Sequence, residues 1–434
     1  MYIDLVTINL CPQGGGGVKP SGTLEISENG EYDVYSYSLA SVYVHPSESL
    51  SETYISNGSY NITGEFNGGV ITVDVPGEWD QKSVTEGTIE IINLDNSASF
   101  VVSSAFQDNK NLQTVNLPYA TTVGDVAFYS CTSLSQVNLP VCSYIGRDAF
   151  NYCTSLSQID IPMCSYIGNN AFHSCDSLSQ VSLPVCENIS IGAFQKCYEL
   201  SQISLPMCSY IGNYAFAYCY FLNQVSLPVC SYIGRGVFYN CVSITQVSLP
   251  VCSYIGRDAF NYCTSLSQVN LPMCSSIDYG AFSDCSLLSQ VSLPVCENIG
   301  YGVFTNCSLL SQVSLPMCSY IESCVFKNCG SLSQVSLPVC SYIGSSAFHN
   351  CGSLSQVSLP MCSYIGNYAF ASCSSLSIIT IGYSSICILF SSTALSNTQI
   401  TLSTGSIYVP ASLVDRYKSS PYWSYFSTQI FPIE

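Results

Sequence analysis

Cysteine is the residue with the most chemical potential in this chain. From Cys131 to Cys373 it recurs at every eleventh position, 23 times, and only Cys11, Cys324 and Cys387 fall outside the series. Thiols can ligate zinc, attack carbonyls or pair as disulfides. A zinc site needs clustered ligands such as C-x-x-C, and the chain has no such pair. Disulfides along one column fit poorly, because neighbours in a parallel stack sit about 4.8 Å apart with parallel Cβ vectors. The fixed step suits two ladders of small buried residues, since a free thiol behaves as a small hydrophobe. His45, His173 and His349 have no partners at set spacing, so no Ser-His-Asp or Cys-His arrangement is marked. The carboxylates Asp148, Asp176, Asp258 and Asp284 are scattered, without the pairing that glycoside cleavage requires. Gly14 to Gly17 has linker composition and is no phosphate-binding loop. The residues therefore read as non-enzymatic, with no metal and no cofactor.

Composition narrows the class further. Of 434 residues, 9% are charged and 47% hydrophobic, and the formal net charge is −18. That is too apolar for a disordered chain. Ten basic residues leave no electrostatic footprint for nucleic acid. No apolar run approaches eighteen residues, so no membrane insertion is expected. The opening Met-Tyr-Ile-Asp-Leu-Val lacks the basic and apolar regions of a secretory signal. Residues 1–97 hold 14 acidic and 2 basic residues, whereas 98–376 hold 12 and 6, so the N-terminal part differs in kind.

The elements that must position these residues follow from a repeat. Phenylalanine recurs at every twenty-second position from Phe106 to Phe370, thirteen times. Proline keeps the step from Pro118 to Pro360, and leucine from Leu112 to Leu376 with Ile244 as the one substitute. A fixed period of this size means a solenoid. The two halves of the repeat match, each with Cys, then Ile or Leu three residues on, so each coil has two similar sides with an apolar triad inward. Gln136-Val137-Asn138-Leu139 alternates as a strand does, with Val137 and Leu139 inward, and Pro140 ends it. Gly146 and its column equivalents are expected to mark a turn with positive φ. The stretch Val141 to Gln158 recurs identically from Val251 to Gln268, five repeats on, which points to tandem duplication.

The repeats resemble the leucine-rich repeats of the BspA-like surface-protein family. The resemblance rests on I-G-x-x-A-F-x-x-C-x-x-L-x-x-V-x-L-P, as from Ile145 to Pro162, and covers about 280 residues. The family usually has a unit one residue longer. The implied fold is a leucine-rich-repeat solenoid, a parallel β ladder of about 13 coils, with small N-terminal β-modules and an α/β C-terminal cap.

Four regions are expected: 1–22, a strand and Gly-rich linker; 23–84, two small β-modules; 85–376, the solenoid with its N-cap; and 377–434, the C-terminal cap. The modules are Leu24 to Val34 and Tyr54 to Ile62, each carrying Asn-Gly between alternating apolar residues, a hairpin signal. They resemble I-x-E-N-G-x-Y-D-V segments of phage and prophage structural proteins. Thr88 to Val102 reads as a degenerate first coil. Beyond Leu376, strands are expected at Ile378 to Ile381 and Gln399 to Leu402, then a helix from Ala411 to Lys418 with Leu413, Val414 and Tyr417 on one face. The I-Y-V-P…W-S-x-Y ending also resembles the BspA-like family.

Two surface ladders are candidate ligand-binding rows. One is the glutamine column: Gln136, Gln158, Gln180, Gln202, Gln224, Gln246 and Gln268, continuing to Gln356. The other is tyrosine: Tyr144, Tyr166, Tyr210, Tyr232, Tyr254, Tyr320, Tyr342 and Tyr364. An exposed tyrosine row can stack on sugars or meet a protein. Stacked amide bonds and mutual packing are the plain structural alternatives. Positions such as Arg147-Asp148, Asn169-Asn170, Asn213-Tyr214, Tyr239-Asn240 and His349-Asn350 vary between repeats, which suits recognition or simple surface drift. The expected function is non-enzymatic recognition of a cell-surface protein or glycan. The N-terminal resemblance implies a virion component, a tail fibre or receptor-binding protein, contacting other virion proteins through that region. The alternative is a bacterial surface or secreted adhesin that binds host matrix protein or glycan.

Overall fold

The fold is taken from a computed structural model that describes residues 101–433, except 102, 111 and 118, and ahead of them only the backbone of short strands. The chain is a parallel β-solenoid of about 14 turns with few helices. It divides into two compact units, Met1–Cys208 with Tyr218–Tyr220, and Ser209–Ala217 with Phe221–Glu434.

Each coil carries a three-residue strand and a two-residue strand joined by turns. In the first unit the two-residue strands Phe100–Val101, Thr122–Val123, Tyr144–Ile145, Tyr166–Ile167 and Asn188–Ile189 pair in parallel, each with the strand one repeat on. Ile91–Asn93 pairs in parallel with Thr114–Asn116, which extends the other ladder upstream. Thr23–Glu25 lies antiparallel on Ile91–Asn93 and covers that ladder's edge. The strands flanking Asn29-Gly30 do not pair with each other, because Glu31–Val34 pairs instead with Val6–Leu10. Ser51–Tyr54 and Ser59–Thr63, which flank Asn57-Gly58, do pair antiparallel. Both Asn-Gly turns and the Gly14 to Gly17 stretch lie outside the described residues.

In the second unit the two-residue strands run from Tyr210–Ile211 to Ile388–Leu389. The three-residue strands run from Gln224–Ser226 to Gln334–Ser336. Gln356–Leu359, Ile378–Ile381, Ser406–Val409 and Ile430–Pro432 complete it as a separate sheet.

Strand alternation sets the core. Val137 and Leu139 are buried while Gln136 and Asn138 are exposed. The phenylalanine column is buried, and within each unit successive rings stack with centroids 5.0 to 5.7 Å apart. All cysteines of the regular series are buried and free. The two thiol columns bond differently. Cys153 donates to the Phe128 carbonyl at 3.0 Å, and its equivalents do likewise with the phenylalanine of the preceding coil. Cys142 and its equivalents donate to the carbonyl two residues on, as to Tyr144 at 3.3 Å. One column ties coil to coil, and the other closes its own turn. Burial pushes Cys142 and Cys230 up to about 11 and Cys252 to about 12, so these thiols stay protonated.

The glycine column corrects its expected role. Gly146 does not have positive φ; the left-handed positions fall two residues later, at Asp148, Asn170, Gly192 and their equivalents, and again near Asn306 and Asn328. Gly146 is required by close approach. A Cβ there would lie 2.7 Å from the Asp125 nitrogen, and one at Gly168 would lie 2.6 Å from the Gly146 carbonyl carbon. Backbone crosses backbone here, so a Cβ at Gly146 or Gly168 needs the neighbouring coil to shift, as it does where the column holds Ser190, Asp278 and Glu322 instead.

At the C-terminal end, Gln399 to Leu402 is turn rather than strand. Thr398 Oγ1 donates to the Leu395 carbonyl at 2.7 Å and Thr401 Oγ1 to the Thr398 carbonyl at 2.8 Å, so side chains take the bonds a ladder would need. The expected helix is a 3-10 turn, Ala411–Leu413, leading into α1, Val414–Ser419. Leu413 and Tyr417 are buried and Val414 is partly so.

Candidate functional site

The strand face of the second unit forms a groove of about 1100 Å³. Its floor is the glutamine column from Gln224 to Gln356, with Ser226, Ser248, Asn270, Ser292, Ser314, Ser336 and Ser358 two residues on. Pairing is glutamine on glutamine from Gln224 to Gln334, so each coil adds one amide and one hydroxyl or amide in register. Seven rungs at the parallel-strand spacing span about 30 Å. Ile378 and Thr380 close one end.

Two properties set this face apart. Every lining residue is uncharged. Among the described residues, the glutamine amides from Gln224 to Gln356 are exposed and no hydrogen bond joins them to one another. A second amide column in the same unit behaves otherwise. Asn350 Nδ2 donates to Asn328 Oδ1 at 3.2 Å, Asn328 to Asn306 at 2.8 Å, and Asn306 to Asp284 Oδ1 at 2.7 Å. These asparagines have φ near +60°, which asparagine tolerates well. The asparagine row commits its amides to the fold, whereas the glutamine row leaves its own open to a ligand.

Of the glutamines singled out by sequence, Gln224, Gln246 and Gln268 line this groove, while Gln136, Gln158, Gln180 and Gln202 belong to the first unit, exposed on its strand face. The tyrosine row is stacked face to face. Tyr144 and Tyr166 lie 5.0 Å apart, Tyr210 and Tyr232 6.0 Å, Tyr232 and Tyr254 5.0 Å, Tyr320 and Tyr342 4.0 Å, and Tyr342 and Tyr364 4.6 Å, all within 7° of parallel. Ring faces are thus turned on one another, and edges and hydroxyls remain at the surface. Tyr254 donates to Asp278 Oδ2 at 3.1 Å, and burial with that carboxylate pushes its phenol up to about 12. The repeat-to-repeat variable positions include Asp148, Asn170, Tyr214, Asn240 and Asn350, all held at positive φ, so backbone conformation bears on them as well as ligand. Sequence reading missed Ser311, Ser333, Ile378 and Thr380 in the groove lining; only the fold brings them beside the glutamine row.

Among the described residues, no three His, Cys, Asp or Glu side chains group as a metal site. His173 Nδ1 lies 3.0 Å from Ser174 Oγ and 3.2 Å from Asn151 Oδ1, and burial lowers its pKa. Ser174 is almost fully buried and His173 partly so, and the pair packs against its own turn.

The repeats match the BspA type leucine rich repeat region in six copies, over segments that run from residue 83 to 414. The chain belongs to that family. Its fold matches a leucine-rich repeat protein from Bacteroides ovatus, 22% identical, with a TM-score of 0.64, covering 90% of this chain and 100% of that one. A leucine rich cell surface protein from Faecalibacterium prausnitzii is 20% identical over 90% of this chain and 98% of its own, with a TM-score of 0.32. A leucine-rich repeat protein from Eubacterium ventriosum is 18% identical over 73% and 92%, with a TM-score of 0.40. No curated protein sequence matches the chain. A leucine-rich-repeat solenoid is typically a non-enzymatic interaction scaffold, and no enzymatic family is indicated. Among the described residues, no helix is long and apolar enough to cross a membrane.

Proposed function

We propose that the chain is a surface-recognition protein that binds an uncharged, hydrogen-bonding ligand along the glutamine–serine groove of its second unit. The observation that carries this reading is a groove about 30 Å long whose exposed amides have no protein partners and whose lining holds no charge. Such a face suits a neutral polysaccharide, whose hydroxyls both donate and accept, better than an acidic or basic polymer. BspA-type leucine-rich repeat proteins are typically at the cell surface or secreted, which favours a bacterial surface adhesin as the bearer. The virion role, with contacts to other virion proteins, rests on the N-terminal resemblance alone; finding the protein in purified virions would revive it.

The test is binding of the labelled full chain to an array of neutral and charged glycans and to immobilised matrix proteins. Retention on neutral glycans, weakened at least tenfold in a Gln268→Ala/Gln290→Ala/Gln312→Ala variant, supports the reading; retention only on charged ligands sinks it.

A further inference from the structure

Of the two described cysteines outside the regular series, Cys324 is partly exposed and Cys387 is fully buried. Cys387 follows Cys362 by 25 residues, out of step with the repeat. The ladder pairs Tyr364 with Ile388, so Cys387 stands opposite Ser363, one residue out of register with Cys362. The two thiols meet at this offset. Cys387 Sγ donates to Cys362 Sγ at 3.9 Å, and Cys362 Sγ donates to the Tyr364 carbonyl at 3.3 Å.

Thiols also meet within a column, as Cys351 and Cys373 do. Residues in one column are translated copies, so their Cβ atoms lie about 4.8 Å apart, beyond the 3.5–4.5 Å or so that a disulfide spans. The Cys362–Cys387 pair is not bound by that translation, because the chain re-enters the ladder one residue late. Its electrostatics differ as well. The thiol of Cys387, donating to Cys362, lowers Cys362 below the ordinary value of 9.0, whereas burial pushes Cys340, one coil earlier, up to about 12. Cys362 is thus the readier thiolate, and the thiolate is the nucleophile.

We propose that Cys362 and Cys387 are a disulfide-forming pair, a redox latch between the Cys362 coil and the C-terminal segment. The oxidant is a low-molecular-weight disulfide such as oxidised glutathione. The Cys362 thiolate attacks one of its sulfurs, that S–S bond breaks, and one small thiolate leaves. Cys387 then loses its proton, attacks Cys362 Sγ and expels the second small thiolate. One S–S bond has formed and one has broken. Two electrons have passed from the protein to the oxidant, and the protons of both cysteines end on the two released thiols. Neither sulfur is at the surface, so exchange waits for the C-terminal segment to lift. Tyr417 and Trp423 hold that segment down through the backbone N–H and carbonyl of Cys387. Once joined, the sulfurs hold it covalently. The pair lies in the core at the end of the solenoid, so this chemistry is independent of the groove and its ligand.

The test starts from the full chain, reduced, freed of reductant and incubated with excess oxidised glutathione. Free thiols are alkylated and the peptides mapped by mass spectrometry. The Cys362 and Cys387 peptides should be recovered joined, lighter by two hydrogens, with Cys340 and Cys351 still alkylated. Hydrogen exchange at residues 378–389 should slow by about tenfold or more in the joined form. Trp423→Phe, which loosens the segment, should speed joining by about fivefold or more. Cys387→Ala keeps both backbone bonds and should leave Cys362 with a glutathione adduct and no internal link. Free thiols at Cys362 and Cys387 in both wild type and Trp423→Phe overturn the inference. Separate glutathione adducts on the two wild-type cysteines, or Cys362 joined as readily to Cys340, overturn it too. Unchanged exchange at 378–389 in joined protein removes the latch.

Discussion

The indole nitrogen of Trp423 donates to the carbonyl oxygen of Cys387 at 2.7 Å. On the other side of the same residue, the Cys387 N–H donates to Tyr417 Oη at 2.8 Å. Both aromatic side chains are buried and meet edge to face at 5.5 Å. Cys387 lies just before Ile388–Leu389, the last two-residue strand of its ladder. The C-terminal segment is thus fastened to the solenoid's end through one residue's backbone.

Trp423→Phe leaves the Cys387 carbonyl without this donor, a loss of about 1–3 kcal/mol, and opens a cavity where the indole was fully buried. Coils of a solenoid depend on their neighbours, so the effect concentrates at that end. Hydrogen exchange should show protection falling first at residues 378–389, with residues 224–292 unchanged.

Thiol reactivity separates the cysteines. Among the described ones, Cys324 alone is outside the buried class, and it should react with an aromatic disulfide in native protein before any other described cysteine. Full denaturation should release all 26 thiols of the chain. Rapid native labelling at Cys142 or Cys153 would show that the stacked columns are open.

Those thiols also set an alkaline limit. Burial raises Cys142, Cys230 and Cys274 to about 11 and Cys252 to about 12, from an ordinary value of 9.0. The unfolded chain therefore loses these protons before the folded one does. Their contribution is complete below pH 9 and is lost as pH rises toward 11 to 12. Denaturation midpoints should be flat from pH 7 to 8.5 and fall steeply above 9.

Glycine substitutions distinguish two constraints. Gly168→Ala drives a Cβ to 2.6 Å from the backbone of the preceding coil and should cost the most of the three, since that coil must shift to admit it as it does at Ser190. Gly302→Ala meets only the Thr305 hydroxyl at 3.2 Å but sits at φ +64°, which costs about 1–2 kcal/mol. Gly330→Ala meets nothing within 4 Å and should be neutral or slightly stabilising. Thermal melts of the three variants should keep that order.

The groove makes its own prediction for solution conditions. Its lining has no group that titrates between pH 5 and 9. Ligand binding should stay constant across that range and change little between 50 and 500 mM salt, because no counterion is displaced. A marked salt dependence would place the ligand elsewhere on the molecule.

The phenylalanine step made the solenoid readable, because a residue that returns at one unbroken interval can only be stacked on itself. Alternation in Gln136-Val137-Asn138 likewise gave the strand and its inward side. What a column does was harder to read. Gly146 and Asp148 both repeat, yet one answers a backbone crossing and the other a left-handed turn. Only the stacked coils separate the two causes. The glutamine and asparagine columns look alike as amide repeats, but Asn306 and Asn328 bond along their row while the glutamines do not. Gln399 to Leu402 has the composition of a strand, and the hydroxyls of Thr398 and Thr401 turn it. A local side-chain bond of that kind leaves no periodic trace.

Glutamine pairs with glutamine in successive coils, so a coil can be gained or lost without changing the partners inside any other. The identical stretches Val141 to Gln158 and Val251 to Gln268 give recombination equal sites at which to act. Unequal crossover between them alters the chain by whole repeats, always in frame with the stack. Each repeat gained or lost lengthens or shortens the amide-lined track by one rung of about 4.8 Å. The length of this surface is therefore heritable as copy number, and it changes in whole rungs without a single point substitution.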